Sequence, residues 1–267
     1  MIELNFKEYH LAEPFFKKKQ YIPALSVIHG NYPGRVFVND REPDLVIVWA
    51  IGRWMYLEGN INSEKEKTEL NSFIYDVVIP ECKQSNVNWF EIYASDIKCW
   101  DELFLDGLHL VKADKHYESV YTLNLDKFKR VKETFSPPIE NIEVNLLEFE
   151  ILPEEYRNLK YIDERFLTKS YPGVEIRKGH ELITICRNNG FVYNNEYFID
   201  VDTFVHEQRG KGYATLAAIK LIDHLLHNSM FPLWETTHQN TPSHKLATKL
   251  GFEVKEDYPV YAFINES

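Results

Sequence analysis

Cysteine is scarce in this chain. There are 3 cysteines in 267 residues, Cys82, Cys99 and Cys186, and none forms a C-x-x-C pair. An odd set without paired spacing excludes a disulfide framework, and the three read as reduced thiols. Long apolar runs are also missing. The N-terminal stretch MIELNFKEYHLAEPFFKKKQ carries charges throughout and lacks the apolar core of a secretion signal. No segment is long and apolar enough for a membrane span, so a cytoplasmic location is expected. An excess of positive charge is absent too: Lys and Arg number 30 against 41 Asp and Glu, giving a net charge of −11. That balance argues against general nucleic-acid binding and suits a cationic small-molecule partner. No metal is expected.

What is present is a soluble, aromatic-rich chain, 44% hydrophobic and 14% aromatic, long enough for one large or two small domains. It also repeats itself. At an offset of 144 residues, the stretch 87–123 meets the stretch from 231 onward without a gap. Glu91 then falls on Glu235, Phe90 on Trp234, and Gly107-Leu108 on Gly251-Phe252. RWMYLEGN (53–60) falls on YFIDVDTF (197–204) at the same offset, and NYPGRVFVND (31–40) resembles SYPGVEIRKG (170–179). The order of elements is shared: a YPG turn, strands, a helix, a strand, a helix, a glycine and a strand. Two similar domains are therefore expected. The boundaries are a first domain over 1–127, a charged linker with Pro137-Pro138 over 128–145, and a second domain over 146–267.

In the second half, periodicity predicts a helix over 154–170, strands in GVEIRKG and ELITICRNNGFVYN, and a strand over 196–205. A helix over 213–229, a strand over 232–238 and a helix over 242–250 follow, the last ended by Gly251 as a left-handed cap. The fold class is α/β, a mixed sheet flanked by helices.

One junction carries chemistry. VHEQRGKGYATLAAIKLIDHLL (205–226) places two glycines, an arginine and a lysine between a strand and a helix. The first N–H groups of a helix lack intrahelical partners and carry partial positive charge, so such a junction suits a phosphate. Gly210 and Gly212 permit unusual backbone angles, and Arg209 and Lys211 add charge. The stretch lacks the G-x-x-x-x-G-K-[ST] loop, and Thr215 stands where the third glycine of G-x-G-x-x-G belongs.

Together with its neighbours the junction resembles the GNAT superfamily, the Gcn5-related N-acetyltransferases. The family signature Q/R-x-x-G-x-G/A is matched by Arg209-Gly210-Lys211-Gly212-Tyr213-Ala214, and its later Asn…K-L-G-F segment by NTPSHKLATKLGF (240–252). The resemblance covers 150–263 well and reaches the first half only through the repeat. It implies two GNAT-like domains, each with a mixed, mostly antiparallel sheet. It also implies acetyl-CoA as cofactor. The backbone amides of 209–214, with Gln208 beside them, would hold its pyrophosphate, and the Thr215 hydroxyl would add a contact. The pantetheine arm would lie along Val201, Thr203 and Val205, with a strand N–H polarising the thioester carbonyl. Asn240 would contact the pantetheine or order its loop, with Ser243 nearby; it also reads as a helix N-cap. In the first half, KEKTEL (65–70) lies opposite 209–214 and has no glycine. That domain is expected to have the fold without the cofactor.

Acetyl transfer to an amine needs a base to take a proton. Alternation sends Glu196, Asp200 and Asp202 to one face of their strand. Asp202, near the loop, and Glu196, thirteen residues before Arg209, rank together, with Asp200 third. His206 and His238 are further proton carriers to consider, and Trp234 and Glu235 would open the far wall of the cleft. The family tyrosine that protonates the leaving thiolate is replaced by Ala247, which leaves Ser243, a water or an unassisted departure. The expected function is N-acetyl transfer from acetyl-CoA to a small-molecule primary amine. A non-catalytic acyl-CoA sensor and a tRNA-dependent aminoacyl transferase are the competing readings.

Overall fold

The computed structural model describes residues 1–264 apart from 52, 107–111, 139–140, 158 and 160–161. The repeat's Gly107-Leu108 therefore lies outside the described residues. The chain divides into two compact units. Unit 1 comprises Met1–Glu118, Pro153–Asp163 and Asp257–Ser267, and unit 2 comprises Ser119–Leu152 and Glu164–Glu256.

From the N-terminus come β1 (Ile2–Glu3), α1 (Ile22–Ile28), β2 (Gly34–Val38), β3 (Leu45–Ala50) and β4 (Trp54–Gly59). Next are α2 (Glu64–Phe73), α3 (Ile79–Gln84), β5 (Trp89–Ala94), α4 (Lys98–Asp101) and β6 (Lys112–Leu123). The chain continues through α5 (Leu125–Thr134), β7 (Glu143–Glu150), β8 (Ser170–Lys178), β9 (Glu181–Tyr193) and β10 (Glu196–Thr203). It ends with α6 (Tyr213–His227), β11 (Phe231–Thr237), α7 (Thr241–Leu250) and β12 (Phe252–Ile264).

In unit 1 the strand order is β1-β2-β3-β4-β5-β12, and in unit 2 it is β6-β11-β10-β9-β8-β7. Two pairs, β4–β5 and β10–β11, are parallel. The other pairings with a resolved register are antiparallel. Each parallel pair needs a helical crossover, which α2–α3 and α6 supply.

The repeat has a physical cause at its YPG turns. A Cβ on Gly34 would lie 2.7 Å from the Trp49 carbonyl oxygen and 2.7 Å from Val27. One on Gly173 would lie 2.6 Å from the Phe149 ring and 2.8 Å from Arg187 Cβ. Both glycines sit in strands where a neighbour comes too close for any side chain.

The unit boundaries differ from those expected. The first twelve-residue strand, β6, gives 112–118 to unit 1 and 119–123 to unit 2. Strand β12 gives 252–256 to unit 2 and 257–264 to unit 1. There Val260 to Ile264 pair with β5, and Tyr261 and Phe263 join the first core. The expected linker 128–145 lies inside unit 2. Its first part is helical, because Asn124 caps the Lys127 N–H at 3.1 Å and Phe128 is buried in the second core. Among the described residues, the helix expected over 154–170 is instead two short 3-10 turns, Glu154–Tyr156 and Glu164–Phe166. That stretch changes units after Asp163, so it presents no single face to one core.

No described helix is long and apolar enough to cross a membrane. The cysteines are free, with Cys82 and Cys186 buried.

Unit 1 buries charge on the face of β5 opposite its core. Tyr93 donates to Glu91 at 3.1 Å, Tyr258 donates to Glu118 at 3.3 Å, and His116 Nε2 stands 3.5 Å from Glu118. Burial, reinforced by the Glu118 charge, pushes the Glu91 carboxyl up to about 6 from its ordinary 4.5. Protonated Glu91 is thus favoured by the folded state. Its contribution is complete below pH 4.5 and is lost as pH rises through about 6. Glu91→Gln is expected to remove a fall in unfolding free energy on the order of 1 kcal/mol across that window. Urea unfolding at pH 4.5 and pH 7 measures it, and an unchanged slope would contradict the assignment.

Candidate functional site

The glycine junction is built as a cradle. After β10 the chain makes a short turn over His206–Gln208, then passes Gly210 at φ 77° and Gly212 at φ 93°. These are left-handed angles that favour glycine. A Cβ on Gly210 would meet nothing within 4 Å, so its outer side is open. Gly212 is the N-cap of α6 and supplies no capping side chain. The first return bond of the helix is from Leu216 N–H to the Gly212 carbonyl, at 2.9 Å. The preceding N–H groups of the first turn therefore have no intrahelical acceptor.

Around this cradle, Arg209 donates through Nε and Nη2 to the Thr203 carbonyl at 3.2 Å and ties the loop to the end of β10. Lys211 donates to the Gln208 side-chain oxygen at 2.9 Å. Tyr213 is buried in the second core, which fixes the helix start. Thr215 is also buried, and its hydroxyl receives Lys249 Nζ at 3.3 Å. A hydroxyl contact to a cofactor would share this oxygen with Lys249, and the Thr215 N–H lies in the first turn beside that of Ala214.

Beside the cradle, two strands separate. Strand β10 pairs with β11 only at Glu196↔Phe231, Tyr197↔Pro232 and Phe198↔Leu233. Both strands continue, to Thr203 and to Thr237. On its other edge, β10 stays paired with β9 as far as Thr203↔Thr184. The edge of β10 over Val201 and Thr203 therefore faces a wedge whose apex is Phe198 and Leu233, and Val205 follows at its mouth.

The acids on β10 divide along that wedge. Tyr197 and Ile199 are buried in the core, as alternation predicts, while Asp200 and Asp202 are exposed and Glu196 is half-buried. Glu196 sits before the apex, Asp200 just past it, and Asp202 toward the cradle. His206 and His238 are exposed.

The opposite side of the wedge is β11, from which the chain runs into α7. The Asn240 side chain accepts the Ser243 N–H at 3.2 Å, so it caps this helix. The Ser243 hydroxyl accepts the Trp234 indole N–H at 2.9 Å. Trp234 is core, packed on Phe252 with ring centroids 5.5 Å apart, and Glu235 is half-buried beside it. Ala247 is fully buried.

A polar chain lies one turn before Ala247. The Tyr121 hydroxyl contacts His244 Nδ1, and His244 Nε2 is 3.1 Å from the Thr237 carbonyl. A carbonyl only accepts, so Nε2 carries the proton and Nδ1 accepts the Tyr121 O–H. Sequence reading missed this pair, because Tyr121 stands on β6, 123 positions from His244. No local motif links them.

The corresponding junction in unit 1 is closed. Ser63 caps α2 by accepting the Glu66 N–H at 3.2 Å, and the Glu66 carboxylate accepts the Asn62 N–H at 2.6 Å. The chain's own acid thus occupies the end of that helix. The pair β4–β5 stays joined to the last residue of β5, Leu57↔Ala94, so no wedge opens there.

Comparison with known proteins follows from this geometry. The GNAT acetyltransferase family matches residues 13–261. The "Uncharacterized N-acetyltransferase YdfB" of Bacillus subtilis (strain 168) is 23% identical over 269 residues, covering 97% of each chain. A GCN5-related N-acetyltransferase-like protein from Streptococcus suis 89/1591 superposes with a TM-score of 0.66 at 19% identity, over 96% of this chain and 98% of that one. A tandem GNAT protein from the clavulanic acid biosynthesis pathway gives a TM-score of 0.58 at 10% identity, over 100% and 98%.

Removing the α7 cap tests the far wall. Asn240→Ala should cost about 1 kcal/mol of stability, while Asn240→Asp restores most of it. Thermal melts of the two variants decide this, and equal melting of both with the parent would show that the cap is idle.

Proposed function

The chain belongs to the GNAT acetyltransferase family, and from that premise we propose that it moves an acetyl group from acetyl-CoA to a primary amine of a small molecule. The observation that carries this reading is the coincidence of two features in unit 2. The uncapped, glycine-bearing start of α6 lies at one end of β10, and the wedge between β10 and β11 opens beside it.

The residues present fit the cofactor. The N–H groups from Arg209 to Ala214 would bind the diphosphate, with Lys211 and Arg209 adding charge. The edge of β10 at Val201, Thr203 and Val205, which no strand pairs, would bond the amide groups of the pantetheine arm, apart from the Thr203 carbonyl, which Arg209 already takes. Bound acetyl-CoA supplies the acetyl group as an activated thioester. The amine attacks the carbonyl carbon, a C–N bond forms, the C–S bond breaks, and the amine proton passes to a carboxylate.

Position along the wedge ranks the bases. With the reacting carbon near the apex, Glu196 and Asp200 each stand two residues from Phe198, whereas Asp202 stands four, about 13 Å at 3.3 Å per residue. Glu196 and Asp200 are therefore preferred over Asp202. At the other wall the Tyr121–His244 pair takes the role that Ala247 leaves vacant. The Tyr121 hydroxyl would give its proton to the departing thiolate and be reprotonated from solvent, because His244 Nδ1 accepts from it and holds no proton to return.

Titration calorimetry tests the cradle. The parent should bind acetyl-CoA, and Gly212→Glu should weaken binding at least a hundredfold by placing a carboxylate at the anion site. Unchanged affinity would refute the assignment. A thiol-release assay over an amine library tests the chemistry. Glu196→Gln or Asp200→Asn should lower kcat about 10²-fold or more, and Tyr121→Phe should lower kcat with acetyl-CoA affinity unchanged. Binding without thiol release for any amine would make the protein a sensor instead.

A further inference from the structure

Unit 1 contains a cavity that the transfer reaction does not use. It has a volume of about 550 Å³ and is lined by Phe15, Pro43, Asp44, Glu58, Gly59, Asn60, Ser95 and Ile97. Four of these residues belong to the ends of the parallel pair: Glu58 and Gly59 close β4, and Asn60 and Ser95 directly follow β4 and β5. In open parallel α/β sheets ligands collect outside the carboxyl ends of the strands, and the β4–β5 pair is the parallel pair of this unit.

The lining carries two carboxylates and no Lys, Arg or His. Both carboxylates are held in place by neutral donors. Glu58 Oε1 accepts the Tyr21 hydroxyl and, at 2.5 Å, the Ser95 hydroxyl. Asp44 accepts the Asn39 side-chain amide and, at 2.9 Å, that of Asn62. Neutral donors orient a carboxylate without cancelling its charge. The wall is closely packed at Gly59, where φ is 122° and a Cβ would fall 2.0 Å from the Asp44 carbonyl oxygen. Phe15, Pro43 and Ile97 supply the apolar part of the lining.

We infer that this cavity binds an organic ammonium ion, with its charged head toward Glu58 and its apolar body against Phe15, Pro43 and Ile97. A concave wall of one sign focuses the field on a counter-ion, and an aromatic ring beside the cation adds to the attraction. A metal ion is the poorer occupant, because the described residues form no group of three metal-ligating side chains. The inference is independent of the acetyl-CoA site. The start of α2 carries no glycine, and the charge around the β4–β5 mouth is opposite to that of the α6 loop.

Isothermal titration of the full chain with 2-phenylethylammonium chloride, at low salt, tests it. The isosteric-tail acid 3-phenylpropionate is the control. Saturable binding of the ammonium without binding of the acid is expected. Glu58→Gln should weaken it at least tenfold, and Ile97→Trp, which fills the mouth, should do likewise. Circular dichroism verifies that each variant is folded. Should Glu58→Gln unfold, Asp44→Asn and Ile97→Trp carry the test. Gly212→Glu should leave ammonium binding unchanged, which separates this site from the acetyl-CoA reading. The inference is overturned by no saturable ammonium binding, by equal binding of the acid, or by undiminished affinity in the folded variants.

Discussion

The parallel ladder between β10 and β11 stops after Phe198↔Leu233, although both strands run on. Most of what unit 2 can do depends on that interruption. A strand edge left unpaired exposes backbone N–H and C=O groups that require a partner. Here the edge borders a wedge instead of solvent on a closed sheet. The opposite edge of β10 stays locked to β9, so the strand keeps its extended shape while its inner edge is free. An extended ligand with amide groups of its own is the natural partner for such an edge.

The flanking elements hold the interruption open and give it polarity. On one side, Arg209 fastens the loop to the Thr203 carbonyl, and Gly210 and Gly212 turn the chain so that α6 begins without a cap. On the other, Asn240 starts α7 and Gly251 stops it. A Cβ on Gly251 would meet the Phe128 backbone nitrogen at 2.8 Å, so the helix end lies tightly against α5. Unit 1 repeats the crossover but pairs β4 with β5 to the last residue of β5 and fills the helix terminus with Glu66. Two similar units thus present opposite electrostatics at the same topological place.

Local features were legible in the sequence because their causes are local. The Gly212 junction, the Asn240 cap, the Gly251 stop and the alternation of β10 are set by residues within a few positions of one another. The YPG repeat was legible as a motif, but its cause was not, since the atoms that crowd Gly34 and Gly173 come from Trp49, Val27, Phe149 and Arg187. Features set by distant partners were not. Nothing near Tyr258 indicates that β12 continues from one unit into the other, because antiparallel pairing with β5 decides it. The charged run FKRVKET (128–134) read as linker, although Phe128 and Val131 give it one apolar stripe. The Tyr121–His244 contact joins segments from opposite ends of the chain order, and Ala247 alone showed only what was missing.

Among the described residues the open wedge and the glycine cradle occur together in one place, in unit 2. The stoichiometry of acetyl-CoA binding to the full chain measures this directly. One molecule per chain is the predicted result. Two molecules per chain, or none, would contradict it.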